Sequence, residues 1–458
     1  MASSQPSYLI IGAGVFGVST AYHLIRKYPN ASVTIVDRDA FDADSRVAAS
    51  WDWNKIVRAD YDDIVYCRMA IESQDVFKSD PLWQPYFLET GMFWMCRNSY
   101  AQDVINNYKQ LNRKADISAV TVDEARELYG GLFKEADYTG VKEVLINKTS
   151  GVALAGDCLR AVTKAAIELG VKYVVGEAAT LLVDGQGVCH GLKTKAGQVL
   201  TASHTIVCTG AGTSKLLEYS ARSTGLSDLQ AGSRIVAGGI ATGMVTLDEK
   251  TYNERFASMP VGMQGYPAEI GEFTDTDRAN IQQILTWSKT GPFLGSLAPT
   301  KDRELKWWGS KIFRNTTEVL PGRHISSPPD AEDYRQWKVS KPLQEDIRSV
   351  SEVFYGKEVK DWHFEKFRVC WDAFTTNGDF IISPHAAAKG LYLATCGSFH
   401  GFKFFPVIGE YVIQMLEGEL ESALAKKWSW DRERPDPSLN PEWPRSELND
   451  YLDSTARL

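Results

Sequence analysis

The sequence predicts an α/β fold: a mostly parallel sheet, with a second α+β domain on an antiparallel sheet inserted into it. Three observations predict this. A short apolar run near the start ends in a glycine-rich loop that opens a helix. Strands and helices alternate in three separated segments, at the N-terminus, at about 151–215 and at about 360–425. Between them, about 223–347 carries short alternating runs, many Gly and Pro, and clustered aromatics such as Trp307 and Trp308. The first pattern calls for parallel strands, the second for an antiparallel sheet.

The opening unit is Tyr8-Leu-Ile-Ile followed by Gly12-Ala-Gly14-Val-Phe-Gly17. The apolar run suits a buried strand. Gly12 allows a sharp turn, Gly14 lets a phosphate approach the backbone, and Gly17 lets the next helix, about Val15 to Tyr28, pack close to the strand. The helix N-terminus then points its N–H groups at a pyrophosphate. A second apolar run, Val33 to Val36, ends at Asp37, twenty residues beyond Gly17 and placed to accept from a ribose hydroxyl. This Rossmann-type context predicts dinucleotide binding and leaves NAD and FAD open.

Past Asp37 the chain is read in order. Ser45 to Tyr61 is a loop, rich in small residues and then in rings, with Lys55 and Arg58 three apart. Helices are expected at Ile64–Phe77, Ala101–Leu111 (followed by a charged linker) and Thr121–Leu128, and strands between Phe87 and Cys96. A helix from Asp157 to Leu169 takes Asp157 as its N-cap and Gly170 as its stop. Lys172–Gly176, Ala179–Val183, Val188–Leu192, Gln198–Leu200 and Thr205–Cys208 read as strands. Pro328–Tyr334 reads as a loop, Lys341–Phe354 and Val407–Glu417 as helices, and Leu391–Thr395 as a strand. The tail from Trp428 onward is polar and is expected to wrap the surface.

Composition narrows the function classes. The chain has 458 residues, enough for two domains or more, with 44% apolar and 24% charged residues. A net charge of -8 and no long basic run argue against nucleic acid. Seven scattered cysteines without a C-x-x-C pair argue for a reducing compartment and against disulfides or a metal site. The first strand starts at Tyr8, so no cleavable signal is expected before it, and no apolar run approaches the ~18 residues of a membrane span. The final Ala456-Arg457-Leu458 is similar to a peroxisomal address read by an import receptor.

Two C-terminal stretches carry the chemistry: Phe367-Arg368-Val-Cys370-Trp371-Asp372, and Gly397-Ser-Phe-His400-Gly401-Phe402-Lys403. With the glycine loop they stand in the order found in the flavin amine oxidases that include monomeric sarcosine oxidase, the pipecolate and saccharopine oxidases, and the fructosyl amino acid oxidases (amadoriases). The chain resembles that family from the glycine loop to about Gly418.

The resemblance implies FAD, bonded covalently to the sulfur of Cys370. It implies FAD contacts from Gly12, Gly14, Val15, Phe16, Gly17, Asp37, Arg38, Ser50, Asn54, Lys55, Cys370, Asp372, Gly401, Phe402 and Lys403. Arg58 and Lys403 match the cations that hold a substrate carboxylate. Lys306 resembles the lysine that assists oxygen reduction, with Lys311 as a rival. His400 is a candidate for the pocket wall, either bonding substrate or bracing Lys403. The implied FAD-binding domain is 1–86, 150–222 and 355–425. The substrate domain is 87–149 and 223–354, and 426–458 is a tail.

The expected activity is oxidation of the C–N bond of a carboxylate-bearing secondary amine by oxygen, giving an imine and hydrogen peroxide in a monomeric enzyme. An amadoriase is disfavoured by Arg58, since those enzymes tend to lack an arginine three residues after the lysine. An oxidase of an elaborated aromatic amine would suit Trp51, Trp53, Trp307 and Trp308. An NAD(P)-dependent dehydrogenase or a flavin-bound scaffold are the readings from other classes, and the former gives Cys370 no role.

Overall fold

The computed structural model describes residues 6–265, 293–330, 336–437, 440 and 442–452. Its first body is a six-stranded sheet in the order Ile381–Pro384, Leu391–Thr395, His204–Val207, Ser7–Ile11, Ser32–Asp37, Lys172–Val175. All neighbours are parallel except the Ile381–Pro384 edge. Ser7–Ile11 is central, so its apolar run is buried on both faces, as parallel strands require. The helices Val15–Lys27 and Ile408–Glu417 pack together on this body, and Gly409 lets the second approach the Ser19 carbonyl.

The second body is a nine-stranded mixed sheet. Its order is Lys366–Phe374, Val236–Thr246, Glu304–Arg314, Phe293–Leu297, Val261–Gly265, Met92–Cys96, Glu143–Asn147, Ile117–Val120, with Ser446–Glu447 added beside Glu304–Arg314. The Lys341–Tyr355 helix covers one face with Leu343, Ile347, Val350 and Phe354. Against it lie Leu305 and Trp307, while the alternate residue Lys306 faces away. The chain is thus a Rossmann-type α/β body with a second, largely antiparallel one.

Several elements differ from expectation. Lys366–Phe374, which the spacing assigns to the parallel body, pairs with Val236–Thr246 in the nine-stranded sheet, opposing Cys370 to Ile240. Helix Ala155–Glu168 starts earlier than read, and Asp157 lies in its first turn rather than at the N-cap. The free N–H groups at that start are met by backbone: Ala155 donates to the Trp53 carbonyl and Gly156 to that of Asp52, at 3.3 and 2.8 Å. The loop at 45–61 contains a strand, Lys55–Val57, paired with Gly151–Ala153. The linker after the Tyr100–Gln110 helix leads into the strand Ile117–Val120. These strands are too short to show a period. The tail does not only wrap the surface, because Trp428 and Trp430 are core residues. Residues 331–334 of the expected loop lie outside the described residues, as does Ala456-Arg457-Leu458.

Candidate active site

A cavity of about 1000 Å³ reaches both bodies. Every FAD or carboxylate contact that the resemblance implies lines it, except Gly17; of the rings that would suit an aromatic substrate, Trp308 lines it and Trp51, Trp53 and Trp307 do not. Gly17 does its work inside the fold, where a Cβ would overlap the Gly12 carbonyl oxygen. Gly12 has φ +103°, and a Cβ there would come within 2.5 Å of the Cys208 carbonyl oxygen. Gly14 differs: a Cβ would meet only Ser50 Oγ, at 3.6 Å, so the space beside it is open toward the cavity.

Asp37 accepts from the Ala13 N–H at 2.6 Å and from the Asp39 N–H at 3.1 Å, so it fixes the glycine loop as well as lining the cavity. Arg46, which the sequence reading passes over, is buried there. Its guanidinium donates to the Ala13 and Phe41 carbonyls at 2.7 and 3.0 Å.

The centre of the site is a buried carboxylate that sequence reasoning also missed. Asp52 meets Lys55 Nζ at 2.7 Å, Lys306 Nζ at 2.8 Å and Arg368 at 3.4 Å. Burial alone would push its carboxyl pKa up. The three cations outweigh burial and hold it far below the usual carboxylate range. Lys306 pays part of the cost: burial, with Lys55 and Arg368 adding repulsion, pushes it down to about 8 against the pull of Asp52. It also donates to the Asn54 carbonyl at 3.1 Å. Lys55 stands 3.8 Å from Cys370 Sγ.

The sheet separates the two lysines. Lys306 is 2% exposed in the cavity, whereas Lys311, an odd number of residues along the same strand, is exposed. By the same period Arg368, Cys370 and Asp372 share a face. Arg368 reaches back to the Ala48 carbonyl at 3.0 Å, binding this strand to the 46–54 loop.

Arg58 and Lys403 are both buried. The Arg58 guanidinium donates to the Asp60 carbonyl and lies over the rings of Tyr61 and Trp94, at 4.4 and 4.7 Å. Lys403 Nζ donates to the His400 carbonyl at 3.0 Å. Burial and Arg58 hold the Lys403 ammonium well below its usual pKa. An anion beside Lys403 offsets the repulsion from Arg58.

The loop delivering Lys403 is conformationally unusual. Cys396, Ser398 and Phe399 all have positive φ, at 68°, 45° and 61°. Asp372 holds it by accepting from the Phe399 N–H at 2.8 Å. The His400 ring braces the wall. Nε2 faces the Gly378 carbonyl at 2.8 Å and so carries the proton, leaving Nδ1 to accept from Tyr61 O–H at 3.0 Å. Burial and Lys403 push His400 down to about 3, so it is neutral. It is the His400 carbonyl, not its ring, that braces Lys403. Glu442, from the tail, also lines this part of the cavity and was not anticipated.

Residues 7–415 match the model of the family described as FAD dependent oxidoreductase, DAO. The chain belongs to this family. Among curated proteins, this FAD-dependent oxidoreductase is similar to L-saccharopine oxidase of Schizosaccharomyces pombe, at 23% identity over 97% of this chain and 98% of that one. It is also similar to amino acid oxidase imqH of Aspergillus flavus, at 25% identity over 90% of this chain and 92% of that one. Among solved structures, a modified fructosyl peptide oxidase from Aspergillus nidulans matches with TM-score 0.80, at 20% identity and 98% of both chains. Amadoriase II from Aspergillus fumigatus matches with TM-score 0.75, at 22% identity over 99% of this chain and 97% of that one. At such identities these structures confirm the fold.

The residues present fit FAD. The glycine loop and Asp37 share one cavity with Cys370 and Lys306. Two buried polar atoms of its lining, Arg46 Nε and Asn54 Oδ1, have no hydrogen-bond partner among the described residues. Asp52→Asn is expected to leave Lys55 and the buried Lys306 without their shared counter-charge. The loss should be about 3–5 kcal/mol, read as a lower urea midpoint for unfolding.

Proposed function

We propose that this chain is an FAD-dependent oxidase of the C–N bond of a carboxylate-bearing secondary amine, such as an N-methyl, cyclic or N-alkyl amino acid. One observation carries the reading: two buried cations, Arg58 and Lys403, share a cavity with Lys306, Lys55 and Cys370. Held there, FAD would supply a two-electron acceptor for the hydride equivalent on the carbon beside the amine nitrogen, which would leave an imine, and a source of those electrons for oxygen, which with two protons gives hydrogen peroxide.

The protein's part is positioning and charge. Arg58, fixed between rings, and Lys403 receive the carboxylate and so orient the carbon to be oxidised. Neutral His400 adds no competing charge. Lys306, held by Asp52 and the Asn54 carbonyl, keeps a positive charge in place for the reduction of oxygen. Cys370 is the proposed covalent anchor of the cofactor. The similarity to a saccharopine oxidase and an amino acid oxidase supports a carboxylated substrate. The tripeptide Ala456-Arg457-Leu458 is proposed as a peroxisomal address, which would confine the peroxide.

A peroxide-release screen of N-methyl, cyclic, N-alkyl and fructosyl amino acids tests the function. Peroxide should form with at least one carboxylated secondary amine and with none of the decarboxylated analogues; the reverse pattern refutes the reading. Cys370→Ala should turn an acid precipitate from yellow to colourless, with flavin left in solution, and a pellet that stays yellow would assign the link elsewhere. Arg58→Ala should raise KM for the carboxylated amine by about tenfold or more, while leaving that for its decarboxylated analogue little changed.

A further inference from the structure

The described tail residues on either side of 438, 439 and 441 act as a strap at the cavity. On one side it is anchored by the buried Trp428 and Trp430, and by Arg432, which donates to the Phe380 and Asp379 carbonyls at 2.7 and 3.0 Å. On the other side Ser446 and Glu447 pair with Phe313 and Arg314, and the Glu447 carboxylate meets Arg314 at 3.0 Å. Between these anchors, Pro435, Asp436, Asn440 and Glu442 line the cavity that contains Arg58 and Lys403.

Glu442 differs from other carboxylates of that lining. Asp63 caps the Ile64–Ser79 helix and pairs with Lys427 at 3.0 Å. Asp379 accepts from Tyr66 and Asn377, at 2.8 and 2.7 Å, and also meets Lys427. The Glu442 backbone is fixed, donating to Asn440 Oδ1 at 3.0 Å. Its half-buried carboxylate makes no hydrogen bond or ion pair with the described residues. Burial pushes its pKa up to about 7, with Arg58 and Lys403 as the cations that pull it back.

We propose that Glu442 is a substrate-recognition residue, which takes the cationic amine of a zwitterion whose carboxylate lies on Arg58 and Lys403. This rests on the carboxylate clamp of the function proposed above. Two cations alone would welcome any small anion. A carboxylate in the same lining repels a bare acid and attracts a ligand that carries a positive charge beside its own carboxylate. The strap thus turns an anion site into an amino-acid site.

Two isosteric probes separate these cases: trimethylglycine, whose nitrogen has no lone pair to lose, and 3,3-dimethylbutanoate, in which carbon replaces the cationic nitrogen. Calorimetric titration of the FAD-loaded full chain should show trimethylglycine binding about tenfold or more tightly than 3,3-dimethylbutanoate. Glu442→Gln should bring the two affinities within about twofold, by weakening the first and strengthening the second. Glu442→Asp should keep the preference. A ratio preserved in Glu442→Gln, with both affinities lost in Arg58→Ala, overturns the role of Glu442 and leaves the clamp standing. If neither acid binds the wild-type chain, clamp and recognition role both fall.

Discussion

A single buried carboxylate organises the site. Asp52 gathers cations from three places in the chain: its own loop, the Glu304–Arg314 strand and the Lys366–Phe374 strand. Its backbone and that of Trp53 also receive the N-terminus of the Ala155–Glu168 helix. Buried charges need partners, and here two of the partners, Lys55 and Lys306, line the cavity. The carboxylate therefore does two jobs at once. It lets Lys55 and Lys306 remain charged beneath a largely closed surface, and it fixes where those charges lie.

Cations are crowded around Lys306 and Lys403. Lys55 and Lys306 face Asp52, and Arg58 shares the lining with Lys403, among carboxylates such as Asp372, Asp379 and Glu442. Lys306 and Lys403 show the consequence as lowered pKa values. Such a site favours electron-rich groups, among them a carboxylate, a reduced cofactor or oxygen taking up electrons. The Tyr61, Trp94 and Tyr100 rings around Arg58 provide stiffness rather than neutralisation.

Much of this was legible in the sequence because it rests on local rules. The glycine loop needed only a strand, a helix and an acid at the right spacing, and each glycine has the steric reason assigned to it. The Cys370 and Lys403 stretches could be placed through their family resemblance. Asp52 could not, since one aspartate among Trp51, Trp53 and Asn54 reads as a solvated loop charge, and two of its three partners, Lys306 and Arg368, lie hundreds of residues away. The choice between Lys306 and Lys311 waited on the strand's period and on which face the Lys341–Tyr355 helix covers. Glu442 was hidden for the opposite reason: a polar, proline-rich tail gives no periodic signal, and only the pairing of Ser446–Glu447 with the sheet returns it to the cavity.

The cavity also has a bearing on how the molecule stays assembled. Gly12, Gly14 and Asp37 sit at the ends of parallel strands, whereas Lys306 and Cys370 sit on the nine-stranded sheet. A dinucleotide lying along that cavity touches both bodies and neither one alone offers it a complete site. Its binding energy is then available only to the joined arrangement, so occupancy acts as a rivet between the bodies. A cofactor held in this way would couple its loading to domain docking, and the chain's resistance to unfolding would rise with its flavin supply.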